Sequence, residues 1–372
     1  MTQSLLFSPL TLRGLTLRNR VVVSPMCQYQ AVDGIVQQWH FAHHARFALG
    51  GVGLAFVEAT AVTREGRITH GCTGLWCDDQ IADQRRIVEL YKSQGAAVGV
   101  QLGHSGRRGS CAQPLDGAHP LANGGPDAAW ATVGPSPLPE RDGYPVPREL
   151  SIAEIDAIVD AFRAAFHRAR AAGFDTIEIH GAHGYLIHSF VSPISNHRTD
   201  AYGGSLANRL RLPLRIAEAA REVWPQELPV FYRASVTDGI AGGLIVEDTV
   251  TLARELKARG IDVIDCSSGG MSGSASLSIN KIKPGFQVPL AAAVRRDAGN
   301  ATMAVGAILD GPQAEAILAE GHADLIAIGR ELLVDPNWCL SAALALHSEQ
   351  PFAVLPRAYS FYLERREKVL ER

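Results

Sequence analysis

The stretch AAGFDTIEIH, residues 171–180, contains the pattern that decides the fold. It reads as the end of a helix, a glycine cap at Gly173, an aspartate, and then a short run of apolar residues typical of a strand. The same order returns in KARGIDVIDC at 257–266 and in LAEGHADLIAIG at 318–329. A helix that runs into a strand three times indicates repeated β–α units around a parallel sheet.

Outward from these phrases, the chain contains eight runs that predict strands, most of them nearly continuous in apolar residues. They lie at 20–26, 53–62, 96–103, 175–182, 228–235, 261–268, 301–307 and 323–330. Helices are predicted at 151–173, where Ser151 and Glu154 form a capping box, and at 205–224, 246–260 and 310–321. Pro213 should kink the second of these or mark its true start. The count predicts an α/β fold, a (β/α)8 TIM barrel, and a doubly wound open sheet is the alternative.

The predicted barrel forms a single domain over residues 1–350. Residues 104–150, rich in Gly, Pro, Ala and Asp, are too long for an ordinary connection and predict a loop excursion after the third strand. Residues 351–372 read as a C-terminal extension outside the barrel.

Composition narrows the function classes. The 372 residues carry a net charge of −3 without any basic block, which argues against nucleic acid as a partner. No apolar run approaches the ~20 residues of a membrane span, and the N-terminus does not read as a secretion signal, so a cytoplasmic protein is expected. Six scattered cysteines do not form a disulfide scaffold, and Cys72 and Cys77 lack the second pair that a zinc site needs.

Polar and small residues collect where the predicted strands end, which is where a barrel keeps its active site. They are Ser24 to Tyr29, Glu58 to Thr60, Gln101 and His104, His180 and His183, Arg233, Ser267 and Ser268, Gly306, and Gly329 with Arg330.

The ends of the last strands suggest a phosphate site, because Gly306 and Gly329 expose backbone N–H groups and Arg330 precedes a short helix. A plain surface cation is the alternative for Arg330. Arg233 lies inside an apolar strand and needs an anionic partner, either a ligand or a neighbouring acid. Gln101 offers a donor and an acceptor to a heterocycle edge. Phosphate, anion and heterocycle together suggest flavin mononucleotide (FMN).

The stretch HGAHGYLIHSF at 180–190 places His180, His183 and Tyr185 at the end of the fourth strand. A metal site is disfavoured because Glu178 is the only acid nearby. Ordinary packing is the second alternative, with His188 its best candidate. Two neutral imidazoles that donate to an oxyanion, beside a phenol that donates a proton, form the third interpretation and the preferred one.

Three segments carry a resemblance to a known family: RNRVVVSPMCQY (18–29), HGAHGYLIHSFVSPISNHRTDAYGGSLANR (180–209) and DLIAIGREL (324–332). Together they resemble the old yellow enzyme family of FMN-dependent ene-reductases. The surroundings of Cys27 and Tyr29 resemble its cysteine-containing, thermophilic-like or xenobiotic-reductase-like branch.

The resemblance implies a barrel that binds FMN non-covalently and has no metal. It places Ser24, Pro25, Met26 and Cys27 beside the isoalloxazine, Ala59 and Gln101 on its pyrimidine side, Arg233 near N1 and the C2 carbonyl, and Gly306, Gly329 and Arg330 at the phosphate. It also implies that His180 and His183 bind the substrate oxygen, that Tyr29 contacts it, that Tyr185 is the proton donor, and that Cys27 tunes the flavin.

The implied reaction has two half-reactions. NADPH gives a hydride to flavin N5, and N5 then delivers it to Cβ of an enone, enal or nitroalkene while Tyr185 protonates Cα. A homodimer or homotetramer is expected from the resemblance. The resemblance also makes Tyr359, Tyr362 and Arg365 of the C-terminal extension candidates to reach an active site, including that of a neighbouring subunit. A phosphate-binding isomerase or aldolase is an alternative, but it would want a catalytic Lys or Glu, and Glu58 alone gives thin support. A non-catalytic flavin-binding protein is a further alternative, which would not need the paired imidazoles.

Overall fold

Eight parallel strands close into a barrel in the computed structural model, which describes residues 4–125, 127–271 and 282–370. The barrel strands are β1 (Val21–Val23), β2 (Leu54–Ala61), β3 (Ala97–Gly103), β4 (Thr176–Gly181), β5 (Val230–Ser235), β6 (Val263–Ser267), β7 (Ala301–Ala304) and β8 (Leu325–Ile328). Each strand pairs with the next, and β8 pairs back with β1. The predicted (β/α)8 barrel is confirmed, and the open-sheet alternative is wrong.

Helices surround the barrel. They are α1 (Gln38–Leu49), α2 (Ile81–Ser93), α3 (Ile152–Ala172), α4 (Leu186–Val191), α5 (Leu206–Arg209), α6 (Arg211–Val223), α7 (Val246–Ala258), α8 (Val288–Ala298), α9 (Gly311–Ala319), α10 (Arg330–Val334), α11 (Trp338–Ala345) and α12 (Arg357–Val369). The capping box of Ser151 and Glu154 begins α3, and Gly173 ends it with φ +92°. The predicted helix at 205–224 is divided into α5 and α6, so Pro213 marks the first turn of the true helix.

The strands separate two apolar layers. In β5, Val230 and Tyr232 pack outward in the large core beneath the helices, whereas Phe231 packs inward with Phe56 of β2. Gly99 on β3 leaves the space for that ring, because a Cβ there would lie 2.5 Å from an atom of Phe56. Alternation along each strand therefore gives the barrel an interior that differs from its outer face.

A short antiparallel hairpin, which was not predicted from the sequence, closes the amino end of the barrel. Its strands are Leu10–Leu12 and Leu15–Leu17. Leu12 and Leu17 pack against the inner cluster, which includes Leu54 at the start of β2. Apolar side chains thus seal this end.

The excursion predicted at 104–150 follows β3 and leads directly into α3. It contains single helical turns and one pair of short strands, Val133–Gly134 and Arg148–Glu149. The C-terminal segment from 351 to 370 includes α12, whereas residues 1–3 and 371–372 of the predicted segments lie outside the described residues.

Candidate active site

A cavity of about 410 Å³ lies at the carboxyl end of the barrel, among the ends of β1, β5, β6, β7 and β8. Its volume is within the range of small-molecule and cofactor sites. Nine residues singled out from the sequence line it: Ser24, Pro25, Met26, His183, Arg233, Ser267, Gly306, Gly329 and Arg330. The structure therefore brings the ends of the predicted strands together around one space.

His180, His183 and Tyr185 converge at the end of β4. The ring centroids of His180 and His183 are 5.3 Å apart, and those of His180 and Tyr185 are 5.0 Å apart, both edge-to-face. Tyr185 and His180 also line a small cavity with Ala59, while a second small cavity lies between Tyr185 and Tyr29. The phenol is thus close to the imidazoles and to Tyr29.

The backbone of His183 is in the left-handed region, with φ +60°, which is costly for a residue other than glycine. Three contacts hold it there. Its N–H donates to Ser235 Oγ at 3.0 Å, its carbonyl accepts from Arg108 at 2.6 Å, and its Nε2 lies 2.7 Å from Ser267 Oγ. These contacts fix the direction of the imidazole before any ligand binds.

Both imidazoles are neutral at physiological pH. Burial lowers the pKa of His180 and of His183 well below the ordinary value, and the Arg233 charge lowers both further. Burial raises the pKa of Tyr185, while the Arg108 guanidinium, 5.5 Å from the centre of the phenol ring, opposes that shift. Neutral imidazoles and a protonated phenol can all donate hydrogen bonds.

His188, the best candidate for ordinary packing, has a local structural role. Its Nδ1 accepts a hydrogen bond from the Gly184 N–H at 2.9 Å, and its Nε2 lies 3.0 Å from a carboxylate oxygen of Asp238. Both ring nitrogens are therefore engaged away from the other two histidines.

Cys27 and Tyr29 lie on the segment that follows β1. Burial and the Glu58 charge raise the pKa of the Cys27 thiol well above its ordinary value, so it stays protonated. Glu58 also accepts the Gln28 N–H at 3.0 Å and lies 3.4 Å from His40 on α1. This acid, which gave thin support to an aldolase, instead holds the Cys27–Tyr29 segment in place.

Arg233 and Gln101 each meet a buried acid on a neighbouring strand. Arg233 Nε lies 3.0 Å from Asp265, and Gln101 donates to Glu178 at 2.7 Å. The neighbouring acid considered for Arg233 is thus Asp265, yet Arg233 also lines the cavity and contacts Ser24 Oγ at 3.4 Å. Arg233 can therefore contact both anionic partners that the sequence predicted, a neighbouring acid and a ligand in the cavity.

The side of the cavity next to β7 and β8 includes Gly306, Gly329 and Arg330. Gly306 has φ +112°, and a Cβ there would lie 2.5 Å from Gln287 Oε1, so only glycine fits. Gln287 in turn donates to Ser267 and Ser268 at 3.1 and 3.0 Å. Arg330, at the start of α10, is exposed and lines the cavity with Gly329.

The structure also shows what the sequence did not predict. Arg108, Gln287 and Asp265 contact the site from distant parts of the chain, and only Asp265 had a signal, since a buried arginine calls for an acid. The α12 candidates Tyr359, Tyr362 and Arg365 do not line the cavities described here. Among the described residues, no cluster of three or more His, Cys, Asp or Glu is placed to hold a metal ion.

Comparison with known proteins identifies the family. The profile of the NADH:flavin oxidoreductase / NADH oxidase family matches residues 5–349. An NADPH dehydrogenase from Geobacillus thermodenitrificans is 44% identical over 345 residues, which cover 92% of this chain and 95% of that protein. The chain belongs to this flavin oxidoreductase family.

Solved structures agree with the old yellow enzyme resemblance, which is confirmed. Morphinone reductase in complex with tetrahydroNAD has a TM-score of 0.74 at 28% identity, covering 91% of this chain and 90% of that one. The old yellow enzyme homologue from Zymomonas mobilis has a TM-score of 0.75 at 26% identity, covering 92% and 93%. This member of the family is thus a flavin oxidoreductase, and the expected FMN and NADPH are confirmed at the level of the family.

The cavity suits the FMN of a flavin oxidoreductase. Arg233 lines the cavity as a buried cation. Gln101 is not among the residues that line it, but beyond its bond to Glu178 it retains an amide oxygen and a second N–H. His180 Nδ1 is buried without a hydrogen-bond partner in the described part of the chain, as expected for an atom that a ligand satisfies. Among the helices described, none combines the length and the apolar character that a bilayer crossing requires.

Proposed function

We propose that the protein is an ene-reductase, which reduces the C=C bond of α,β-unsaturated carbonyl or nitro compounds: enones, enals and nitroalkenes. The observation that carries the proposal is the convergence of neutral His180 and His183 with protonated Tyr185 beside the cavity that Arg233 lines. Bound FMN supplies the redox chemistry, because it accepts a hydride from NADPH and passes it to the alkene.

The side chains at the end of β4 then act on the substrate. His180 and His183 bind the carbonyl or nitro oxygen and stabilise the negative charge that develops there. Tyr185 donates its phenolic proton to Cα, and Arg108 stabilises the tyrosinate that forms. Tyr29 provides a further contact to the oxygen. Cys27, whose thiol is protonated and buried, tunes the flavin and does not act as a nucleophile.

The remaining predicted residues hold the cofactor. Arg233 and Gln101 bind the pyrimidine side with Ala59, and Gly306, Gly329 and Arg330 bind the phosphate. Ser24, Pro25, Met26 and Cys27 flank the ring system. Family membership disfavours both rivals, the isomerase or aldolase and the non-catalytic flavin-binding protein.

The first experiment is a visible absorption spectrum of the purified protein, followed by anaerobic titration with NADPH and then with 2-cyclohexenone. We expect a flavin band that bleaches with NADPH and returns with the enone. Bleaching without return, across enone, enal and nitroalkene substrates, would contradict the proposed substrate class while leaving the flavin assignment intact.

Replacement of the proton donor separates the two half-reactions. Tyr185→Phe should slow reoxidation by the enone about a hundredfold, because general acid catalysis is lost, while NADPH reduces the flavin at the normal rate. Tyr202→Phe is the matched control, since that phenol accepts a hydrogen bond from Arg215 outside the cavity. Equal slowing of both half-reactions in Tyr185→Phe would refute the assigned role.

We further propose that residues 1–350 form the catalytic domain and that residues 351–372 pack against a second copy in a homodimer or homotetramer. On α12, Tyr359 and Tyr362 are exposed, Tyr362 by 72%, and the Arg365 guanidinium stacks on Phe361. A chain truncated after residue 350 should have a lower mass by light scattering and a raised KM for the enone. An unchanged mass would exclude this role. The cytoplasmic location stays a prediction.

A further inference from the structure

A layer of buried polar residues lies across β3, β4, β5 and β6, next to the cavity. This polar layer consists of Gln101, Glu178, Arg233 and Asp265, each at most 7% exposed. Gln101 donates to one oxygen of Glu178 at 2.7 Å, and Arg233 Nε lies 3.0 Å from Asp265. The two side chains assigned to the pyrimidine side of FMN are therefore each held by an acid.

The charges in the polar layer do not balance if both acids are ionised. Two carboxylates would face one guanidinium where water is excluded, and an uncompensated buried charge is costly. Asp265 has the direct ion pair, whereas Glu178 contacts only a neutral amide, and its Oε2 has no hydrogen-bond partner among the described residues. Glu178 is therefore the acid whose ionised form is the less stable of the two, so it is the one that gains a proton more readily.

The groups facing Glu178 support this assignment. Gln101 on β3 lies directly opposite it, whereas on the other side Arg233 of β5 lies opposite His180, two residues further along β4, and Asp265 of β6 lies opposite Arg233. Burial and the Asp265 charge raise the pKa of Glu178 to about 8, against the opposing effects of Arg233 and the Gln101 hydrogen bond. A group that titrates this close to neutrality responds to a new charge nearby.

We propose that Glu178 is a redox-linked proton site, which takes up a proton when the flavin is reduced and releases it when the flavin is oxidised. The proposal rests on the proposed function, since it requires FMN next to Arg233 and Gln101. Once Glu178 is protonated, Asp265 is the one ionised acid beside Arg233. The positive charge of Arg233 is then available to the reduced cofactor.

The atoms and electrons balance in both directions. NADPH gives one hydride, which amounts to two electrons and one proton, and leaves as NADP+. The bound FMN would thereby gain one negative charge, and the Glu178 carboxylate would take one proton from solvent. On reoxidation the hydride goes to Cβ, Cα receives its proton from Tyr185, Glu178 returns its proton to solvent, and the tyrosinate of Tyr185 takes a proton from solvent. Because linkage is reciprocal, protonation of Glu178 must also favour the reduced state.

The test compares wild type with Glu178→Gln, which keeps the size and the oxygen that accepts from Gln101. Hydride transfer from NADPH takes no proton from solution, so a pH-indicator dye during anaerobic reduction at about pH 8.5 reports only protein groups. We expect wild type to take up a substantial fraction of a proton per flavin and Glu178→Gln to take up almost none. Asp238→Asn, which removes a buried acid outside the polar layer, should behave as wild type. Equal uptake in wild type and Glu178→Gln would overturn the proposal.

A second measurement does not depend on the cofactor. Infrared spectra of the FMN-free protein should contain the carbonyl band of a protonated carboxylic acid that titrates near pH 8 and is absent in Glu178→Gln. If the protein took up no FMN, the proposed function would be wrong, yet this band would still report whether Glu178 is protonated. If the protein reduced enones but showed neither the band nor the proton uptake, only the Glu178 proposal would be wrong.

Discussion

The two ends of the barrel interior differ in the side chains that fill them, although the same eight strands supply both. At the amino end, Leu12, Leu17, Phe56 and Phe231 pack in one apolar cluster. At the carboxyl end, polar side chains cross-link one another, as His183 does with Ser267. The polar layer separates the two. Apolar burial stabilises the fold at one end, and at the other hydrogen bonds fix the direction of groups that face a ligand.

The comparison teaches that stability and chemistry can be perturbed separately. The amino end should respond to lost volume, because a cavity left in a packed core costs free energy. The carboxyl end should respond to lost geometry, because its side chains act through direction and charge.

Phe231→Ala should destabilise the protein most. The ring is fully buried and packs edge-to-face with Phe56, so its removal should lower the free energy of unfolding by about 3–5 kcal/mol. Urea unfolding measures the loss, and kcat per folded molecule should stay within about twofold of wild type. A selective loss of kcat with normal stability would show that the two ends are not separable.

How far the sequence predicts the fold also differs between the two ends. The eight strands are readable because each is a nearly continuous apolar run, and the polar ends are readable because Arg233 and His180 interrupt apolar strands. The hairpin was missed because each of its three-residue strands reads Leu-Thr-Leu, whereas the equally short β1 is a continuous run of valines. A single alternation is too short to show a strand periodicity.

Long-range partners were the main omission at the carboxyl end. Arg108 contacts the carbonyl of His183, 75 residues away, and this pairing depends on how the excursion folds back. Nothing local in GHSGRRGS distinguishes Arg108 from Arg107. Asp265 was foreseeable as an acid, but its pairing with Arg233 is set by the register of β5 against β6, which the sequence does not give.

His183→Ala should have the largest effect on chemistry. Loss of one donor to the substrate oxygen should slow enone reduction about a hundredfold, with a free energy of unfolding close to that of wild type. Stopped-flow reoxidation and urea unfolding measure the two effects. His188→Asn is the informative partner, because it should weaken the contact with Asp238 and cost mainly stability. The same balance of losses in both variants would contradict the different roles given to these histidines.

Arg108→Lys should have a smaller effect on the same step. Lysine keeps the charge but loses the planar group that stacks over Tyr185 and donates to the carbonyls of His183 and Gly270. We expect about a tenfold lower rate of enone reduction, with normal reduction by NADPH. Arg107→Lys is the matched control, since Arg107 donates to the carbonyl of Met271. Equal effects at both positions would show that Arg108 has no special role.

His104→Asn should have the smallest effect, on the pH dependence of stability. Burial lowers the pKa of His104 to about 4, and its Nδ1 accepts the Gly106 N–H at 3.0 Å, so the folded protein holds a neutral ring. The unfolded chain binds a proton there below about pH 6.5, so stability falls as pH drops from 6.5 towards 4. Asparagine keeps an acceptor but cannot titrate.

Urea unfolding at pH 8 and pH 6 measures this effect. Between these values the variant should lose about 1 kcal/mol less stability than wild type does. His119→Asn, at an exposed position of the same excursion, should match wild type. If wild type and His104→Asn lost the same free energy of unfolding between pH 8 and pH 6, the buried His104 would not be a source of acid sensitivity. The difference expected here is absent from the apolar side chains of the amino end, such as Leu12, Leu17 and Phe231, because they carry no titratable group.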